Sequence, residues 1–366
     1  MPNMIGLKRE VFRVLIYVIF CFIAVLLLIS VFASLLNPVD FSFFSFVALF
    51  FPLLWIINAL FLLFFVIKRN RLVFVTLILL LLGNYQVSLI YNVSTKEKAS
   101  FPVKGINLIT FNTGNADTID SFKKRKDMFE SELFQTSDII CLQEFTPCND
   151  SGIILLESFK HKISVDYYGV YSGDSSGLSV YTNFEIIKYG WLKQKREDTY
   201  ALWCDLIISD DTIKLINVQL QSIRLEDNEL ESMTQISKFI NLPDRLVSIY
   251  YKLKRGFVWR EEQVRKLEVL ISTSNHPVIL CGDFNDPPSS YTYRQLFGLL
   301  ADSFLEKGNG FGFTYAGRLP FLRIDYVMVD EGLEVLSYQK INSTYSDHYP
   351  VFVKLVIGEK ITRQNR

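Results

Sequence analysis

Three long apolar runs lie in the first quarter of the chain, at about 11–36, 41–67 and 72–91, and they decide what the rest must be attached to. A helix needs about 20 apolar residues to cross a hydrocarbon core, and each run is long enough. The second and third runs contain no charged residue, and the first contains only Arg13. The reading is a membrane anchor over 1–95 with three transmembrane helices. Lys8, Arg9 and Arg13 also suit the basic start of a cleaved signal peptide, but the first run is longer than such a leader requires and two more follow it. Cations set the orientation. They precede the first run and fill the second connection, "KRNR" (Lys68 to Arg71), while Asn37 to Asp40 between the first two runs has none. The positive-inside rule then puts the amino terminus in the cytoplasm. After three crossings the remaining chain faces the periplasm or cell exterior, which makes this a multi-pass cell-membrane protein.

The part beyond the anchor is slightly acidic. Of 38 Lys/Arg and 38 Asp/Glu, residues 1–91 hold six and two, leaving 32 cations against 36 anions. That is not the footprint of a protein that neutralises long nucleic acid. The cysteines follow no metal-binding spacing. Cys21 lies in the first run, Cys141 and Cys281 sit in strand-like apolar stretches where a thiol acts as a small hydrophobe, and sequence alone does not pair Cys148 with Cys204.

From about Lys104 the chain breaks into short apolar runs such as "INLITFN", "DIICLQE", "GLSVYT", "IKLINVQL", "PVILCGDFN", "RIDYVMVD" and "PVFVKLVI", each of strand length. Helical stretches, "SFKKRKDMFESELFQ" and "REEQVRKLEVLISTS", lie between some of them. The pattern predicts stacked sheets flanked by helices over 96–366. A segment at about 224–257 reads as two amphipathic helices broken near Pro243, covering the core of the domain. Lys252, Lys254 and Arg255 beside Tyr250, Tyr251, Phe257 and Trp259 also suit a membrane surface or the roof of a substrate groove.

Polar residues gather at the ends of the predicted strands: Asn112, Gln143 with Glu144, Asn217 with Gln219, Asp283 with Asn285, Asp325, and Ser346 with Asp347 and His348. Any one of them has an ordinary explanation as a turn former. So many carboxylates and carboxamides, with a histidine, at the ends of apolar strands imply that those ends converge. Alternation places Asp283 and Asn285 on one face of an extended segment.

In this order "FN", "QE", "GDFND", "RIDY" and "SDHYPV" resemble the endonuclease/exonuclease/phosphatase superfamily, over roughly Ile106 to Ile357. The resemblance implies an α/β fold, the DNase I-like four-layer sandwich of two mixed sheets flanked by helices. It also implies a Mg²⁺- or Mn²⁺-dependent phosphoric ester hydrolase. Glu144, Asn112 and Asp347 are the implied metal ligands, and oxygen donors of this kind suit those ions. Asp283 would orient or deprotonate water, Asn285 would hold that aspartate or the phosphate, and Asp325 would pair with His348 so that the imidazolium meets a phosphoryl oxygen. Asn217 and Gln219 complete the substrate-facing set.

Two positions depart from the family pattern. "NVQL" carries Gln219 where many relatives have a second histidine. A glutamine donates a neutral hydrogen bond worth roughly 1 kcal/mol, against roughly 1.5–3 kcal/mol for a charged one. Thr182 keeps the hydroxyl usual in the middle strand, but Asn183 replaces a common basic residue. The expected activity is a membrane-anchored phosphoesterase acting on a lipid head group or small phosphate ester, with nucleic acid cleavage as the alternative. Gln219 also admits a catalytically weak binding or scaffold protein. Three spans almost free of buried ionisable groups do not make a transporter. The expected partners are the phosphate-ester substrate and the bilayer, with no obligate protein partner.

Overall fold

The computed structural model describes residues 3–93, 105–114, 128–145, 154–166, 176–194, 198–222, 242–317, 321–343 and 345–358. They fall into two units. Unit 1 comprises Met1–Leu89, Arg224–Val258 and Pro288–Arg294, and unit 2 comprises Ile90–Ile223, Trp259–Pro287 and Gln295–Arg366.

Unit 1 is helical. Its apolar runs form α1 (Asn3–Phe32), α2 (Pro38–Ala48), α3 (Phe51–Ile67) and α4 (Leu72–Ile90). The second predicted span is therefore two helices, bent by 51° at a break. Asn37 starts α2 by accepting from the Val39 amide at 2.9 Å, with Pro38 next to it, and Pro52 restarts the chain as α3. At 11 residues α2 rises only about 16 Å and is too short to cross a bilayer. Among the described residues two helices qualify as spans by length and composition, and three if the bent pair counts as one. Aromatic packing joins α1 to α3, with Phe20 edge-on to Phe61 and Phe65. Gln86 Nε2 in α4 donates to the Val31 carbonyl at 2.7 Å, tying α4 to α1.

Unit 2 opens with β1 (Tyr91–Asn92). Then come β2 (Ile106–Asn112), α5 (Glu132–Gln135), β3 (Ile139–Phe145), α6 (Ile154–Glu157), β4 (His161–Asp166), β5 (Gly177–Thr182), β6 (Glu185–Lys193), β7 (Thr199–Ile208) and β8 (Asp211–Gln219). After α7 (Leu242–Ser272) and β9 (Val278–Asp283) come α8 (Tyr291–Phe297), β10 (Ala301–Asp302), α9 (Ser303–Lys307), β11 (Gly310–Phe311), β12 (Asp325–Val329), β13 (Leu333–Lys340) and β14 (Val351–Ile357). Two six-stranded mixed sheets result, in the orders β10-β12-β9-β8-β7-β6 and β13-β14-β2-β3-β5-β4. This is the predicted DNase I-like α/β architecture. Each sheet has one parallel pair at its centre, β8 with β9 and β2 with β3, flanked by antiparallel neighbours. Strands of a parallel pair end at the same edge, so four strand ends are available to one site.

Between the sheets lies a core that includes Leu108, Val180, Leu215, Val327 and Val353, with Cys141, Cys204 and Cys281. Desolvation pushes the Cys204 thiol up to about 12 and raises Cys141 well above its ordinary value. All three thiols are fully buried and pack as hydrophobes. A second cluster, with Phe111, Phe134, Leu142 and Phe352, covers the other face of the sheet containing β2 and β3.

The sequence predicts a helix ending near Phe257 and a separate one from Arg260, but α7 runs unbroken through both. Gly256 alone does not stop it, since a glycine inside a helix costs only about 1 kcal/mol relative to alanine. Residues 242–258 of α7 group with unit 1, where the Tyr250 hydroxyl meets Ser42 Oγ at 3.0 Å and its ring packs on Phe46. The first of the two predicted amphipathic helices, much of "SFKKRKDMFESELFQ" and Cys148 lie outside the described residues.

Candidate active site

The strand ends of unit 2 bring the polar residues together by register. In the parallel pair β8–β9, Gln219 stands opposite Asp283, and in the antiparallel pair β9–β12, Asp325 stands opposite the same aspartate. In the other sheet Asn112 ends β2 beside Gln143 of β3. A bulge in β3 between Leu142 and Phe145 coincides with a left-handed Glu144, at φ 51°. Bulges of this kind re-aim side chains beside functional sites. Glu144 is thereby turned to accept from Gln219 Nε2, with Asn112 Nδ2 at 3.4 Å from the same oxygen.

Asp283 is almost fully buried and held by three donors. Its Oδ1 accepts from the Asn285 backbone amide at 2.8 Å, and its Oδ2 accepts from Asn285 Nδ2 at 2.9 Å and Asn112 Nδ2 at 3.0 Å. Asn285 is itself left-handed, at φ 52°, and Nδ2 also reaches the Leu220 carbonyl. The preceding Gly282 has φ 130°, and a Cβ there would lie 2.0 Å from the Val218 carbonyl oxygen. Glycine is required because the neighbouring backbone fills that space.

His348 Nδ1 lies 3.0 Å from both oxygens of Asp325, and Nε2 lies 4.0 Å from Asp283 Oδ2. Burial alone would make the imidazole less basic, but Asp325 first, and then Asp283 and Asp347, push it up to about 10. Burial lifts Asp283 to about 7, with Asp325 and Glu144 adding to the rise and His348 and the Asn285 amide opposing it. The site therefore pairs an imidazolium with a carboxyl that changes charge near neutrality.

Asp347 is exposed on the next loop. Ser346 Oγ donates to the Asn112 carbonyl at 2.9 Å, and a Cβ on Gly114 would lie 3.5 Å from Asp347 Oδ1, so this loop adjoins the end of β2. Asn217 is elsewhere. It is fully buried between the sheets, accepting from Gln143 Nε2 at 2.6 Å and donating to the Leu142 and Ser179 carbonyls. Its amide braces the floor beneath the site.

Two contributors escaped the sequence reading. Arg260 is buried, binds Asp286 at 3.0 Å and donates to the Gln221 carbonyl, tying the loops after β9 and β8 together. Its signal was present as a cation in the apolar file of Leu253, Phe257, Val264 and Leu267. Thr314 Oγ1 accepts from the Ile324 and Asp325 amides at 3.0 Å each, and nothing in its residue type marked it.

Carboxylate and carboxamide oxygens on Glu144, Asn112 and Asp347 are hard donors suited to Mg²⁺ or Mn²⁺. Asp283, Asp325 and His348 also offer ligand atoms within 4.8 Å of one another. The oxygens of Asp283 and Asp325 carry hydrogen bonds in this arrangement, and so do Oε1 of Glu144 and Oδ1 of Asn112.

This fold and this gathering of strand ends define a class, and the sequence comparison agrees. The endonuclease/exonuclease/phosphatase family profile matches residues 109–348, and the chain belongs to that family. Its members are generally hydrolases of phosphoester bonds and typically depend on a divalent metal. A domain of unknown function matches residues 13–89. No curated protein matches the chain. Similar solved structures include a conserved protein of unknown function from Enterococcus faecalis V583, at 17% identity and TM-score 0.47, over 69% of this chain and 100% of the other. The human Nocturnin catalytic domain with bound sulfate is 15% identical at TM-score 0.48, over 69% and 94%. A family member from Bacteroides vulgatus is 16% identical at TM-score 0.49, over 69% and 99%.

Proposed function

We propose that the chain is a membrane-anchored, metal-dependent phosphoesterase, with a lipid head group or small phosphate ester as its substrate. The observation that carries this reading is the buried Asp283, fixed by Asn112 and Asn285 and facing the His348–Asp325 pair. A base must be immobile and poised near the working pH, and burial gives Asp283 both properties. In this reading it takes a proton from water as the water attacks phosphorus. The bond from phosphorus to the leaving oxygen breaks, and His348 donates a hydrogen bond to a phosphoryl oxygen as charge develops there. Glu144, Asn112 and Asp347 would hold Mg²⁺ or Mn²⁺, which when bound neutralises phosphoryl charge. Gln219 keeps Glu144 in place, and Asn217 braces the strands below.

The slightly acidic charge beyond the anchor, 32 cations against 36 anions, favours a small or lipid-borne ester over long nucleic acid. The test is hydrolysis of bis-p-nitrophenyl phosphate by full-length protein in detergent with Mg²⁺ or Mn²⁺. Asp283→Asn should lower kcat by about a thousandfold. Equal rates for native protein and variant would end the proposal.

A further inference from the structure

Tyr91 and Asn92 follow directly on the last apolar helix, yet they are built into unit 2. β1 pairs antiparallel with β11, Tyr91 opposite Phe311 and Asn92 opposite Gly310, and the Gly312 amide donates to the Ile90 carbonyl at 3.2 Å. The Tyr91 and Phe311 rings meet edge to face at 4.9 Å, and Phe311 stacks on Phe313 at 5.0 Å. Asn92 does more than a tether requires. Its Nδ2 faces three carbonyls, Phe304 and Leu305 at 2.9 Å and Gly308 at 3.0 Å. These close the carboxyl end of α9, where a helix leaves its last carbonyls unbonded.

The segment pinned in this way runs straight to the site. One residue beyond Phe313, Thr314 accepts from the Asp325 amide, and its carbonyl accepts from Tyr349 at 2.7 Å. Tyr315 forms a β-bridge with His348, their rings 5.2 Å apart, and the Ala316 amide donates to the Asp347 carbonyl at 2.6 Å. Residues 314–316 thus grip the backbone of Asp325, Asp347, His348 and Tyr349 from one side. The other end of the same short segment is gripped by Asn92.

We propose that Asn92 is a positioning residue for the Asp325–His348 pair, acting through 308–316, so that the strand leaving the membrane anchor is part of the catalytic structure. The catalytic role of that pair rests on the function proposed above, but its placement can be tested without activity. A mere tether would leave the histidine environment alone when its side chain is shortened.

The experiment uses full-length protein in nanodiscs with ¹³Cε1-labelled histidine. Only His161, His276 and His348 report, and His348→Gln assigns the last. Asn92→Ala should move or broaden the His348 signal while His161 and His276 hold. In the hydrolysis assay kcat should fall about tenfold, the loss expected of a small misplacement, with KM and Mn²⁺ affinity within about twofold. Phe311→Ala, which removes the ring contacts with Tyr91 and Phe313 and leaves the Asn92 side chain in place, should do the same more weakly. An unmoved His348 signal in both variants would overturn the proposal, as would equal shifts of all three histidines, which mean general loosening. Native protein without measurable turnover would count against the proposed function alone, because the histidine signals still decide the role of Asn92.

Discussion

Asp283 concentrates the cost of this site in one residue. Its folded pKa, about 7, lies above the usual carboxylate range near 3.9, so the fold prefers the protonated form. Stability from this group is therefore greatest below pH 4 and declines as pH rises to about 7. In metal-free protein, Asp283→Asn should melt close to the native chain at pH 4 and above it at pH 8, while losing activity. His348 acts in the same direction over a higher pH range. Its raised pKa stabilises the fold fully below about 6.5, and that contribution is lost as pH rises through about 10. Gln219 acts on Glu144, so Gln219→Ala should weaken Mn²⁺ binding by about tenfold, as removal of a bond to a metal ligand commonly does. Titration by electron paramagnetic resonance checks this, and unchanged affinity would separate Gln219 from the metal. These residues were legible because each lies in a contiguous motif at a strand end. Arg260 and Thr314 were not, since they reach the site from a helix and a loop whose placement only tertiary structure fixes.

Among the elements, strands were easier to read than helices. Apolar runs such as "VILCGD" are bounded by turn formers at both ends, and β9 begins and ends where that pattern does. The bulge at Glu144 was not visible, because a left-handed glutamate has no composition signal. Continuity misled in both directions: a run with no charge broke into α2 and α3, and two patterns read apart fused into α7. Gly282 is the element-scale position with least tolerance. Gly282→Ala forces a methyl into the Val218 backbone at an unfavourable φ, and should cost at least about 3 kcal/mol, read as a lowered melting temperature. A variant melting with the native protein would mean that β8 and β9 separate more easily than their register implies.

For the whole chain, the two-part organisation was plain from the apolar runs and the motif order, although the structure groups 242–258 and 288–294 with the helical unit. No local pattern announces which body an insertion joins, because that depends on long-range contacts such as Tyr250 with Ser42. Sidedness remains a prediction from the cations at Lys68, Arg69 and Arg71. With native thiols replaced, Asn342→Cys should react with an impermeant maleimide on intact cells, and Arg71→Cys only after permeabilisation. The reverse pattern would place the catalytic unit in the cytoplasm.

The native thiols carry a further consequence. Cys141, Cys204 and Cys281 are sealed between the sheets, so no alkylating reagent can reach them while the sandwich is closed. Their modification therefore clocks the separation of the two sheets, an intrinsic stopwatch for opening that needs no added label.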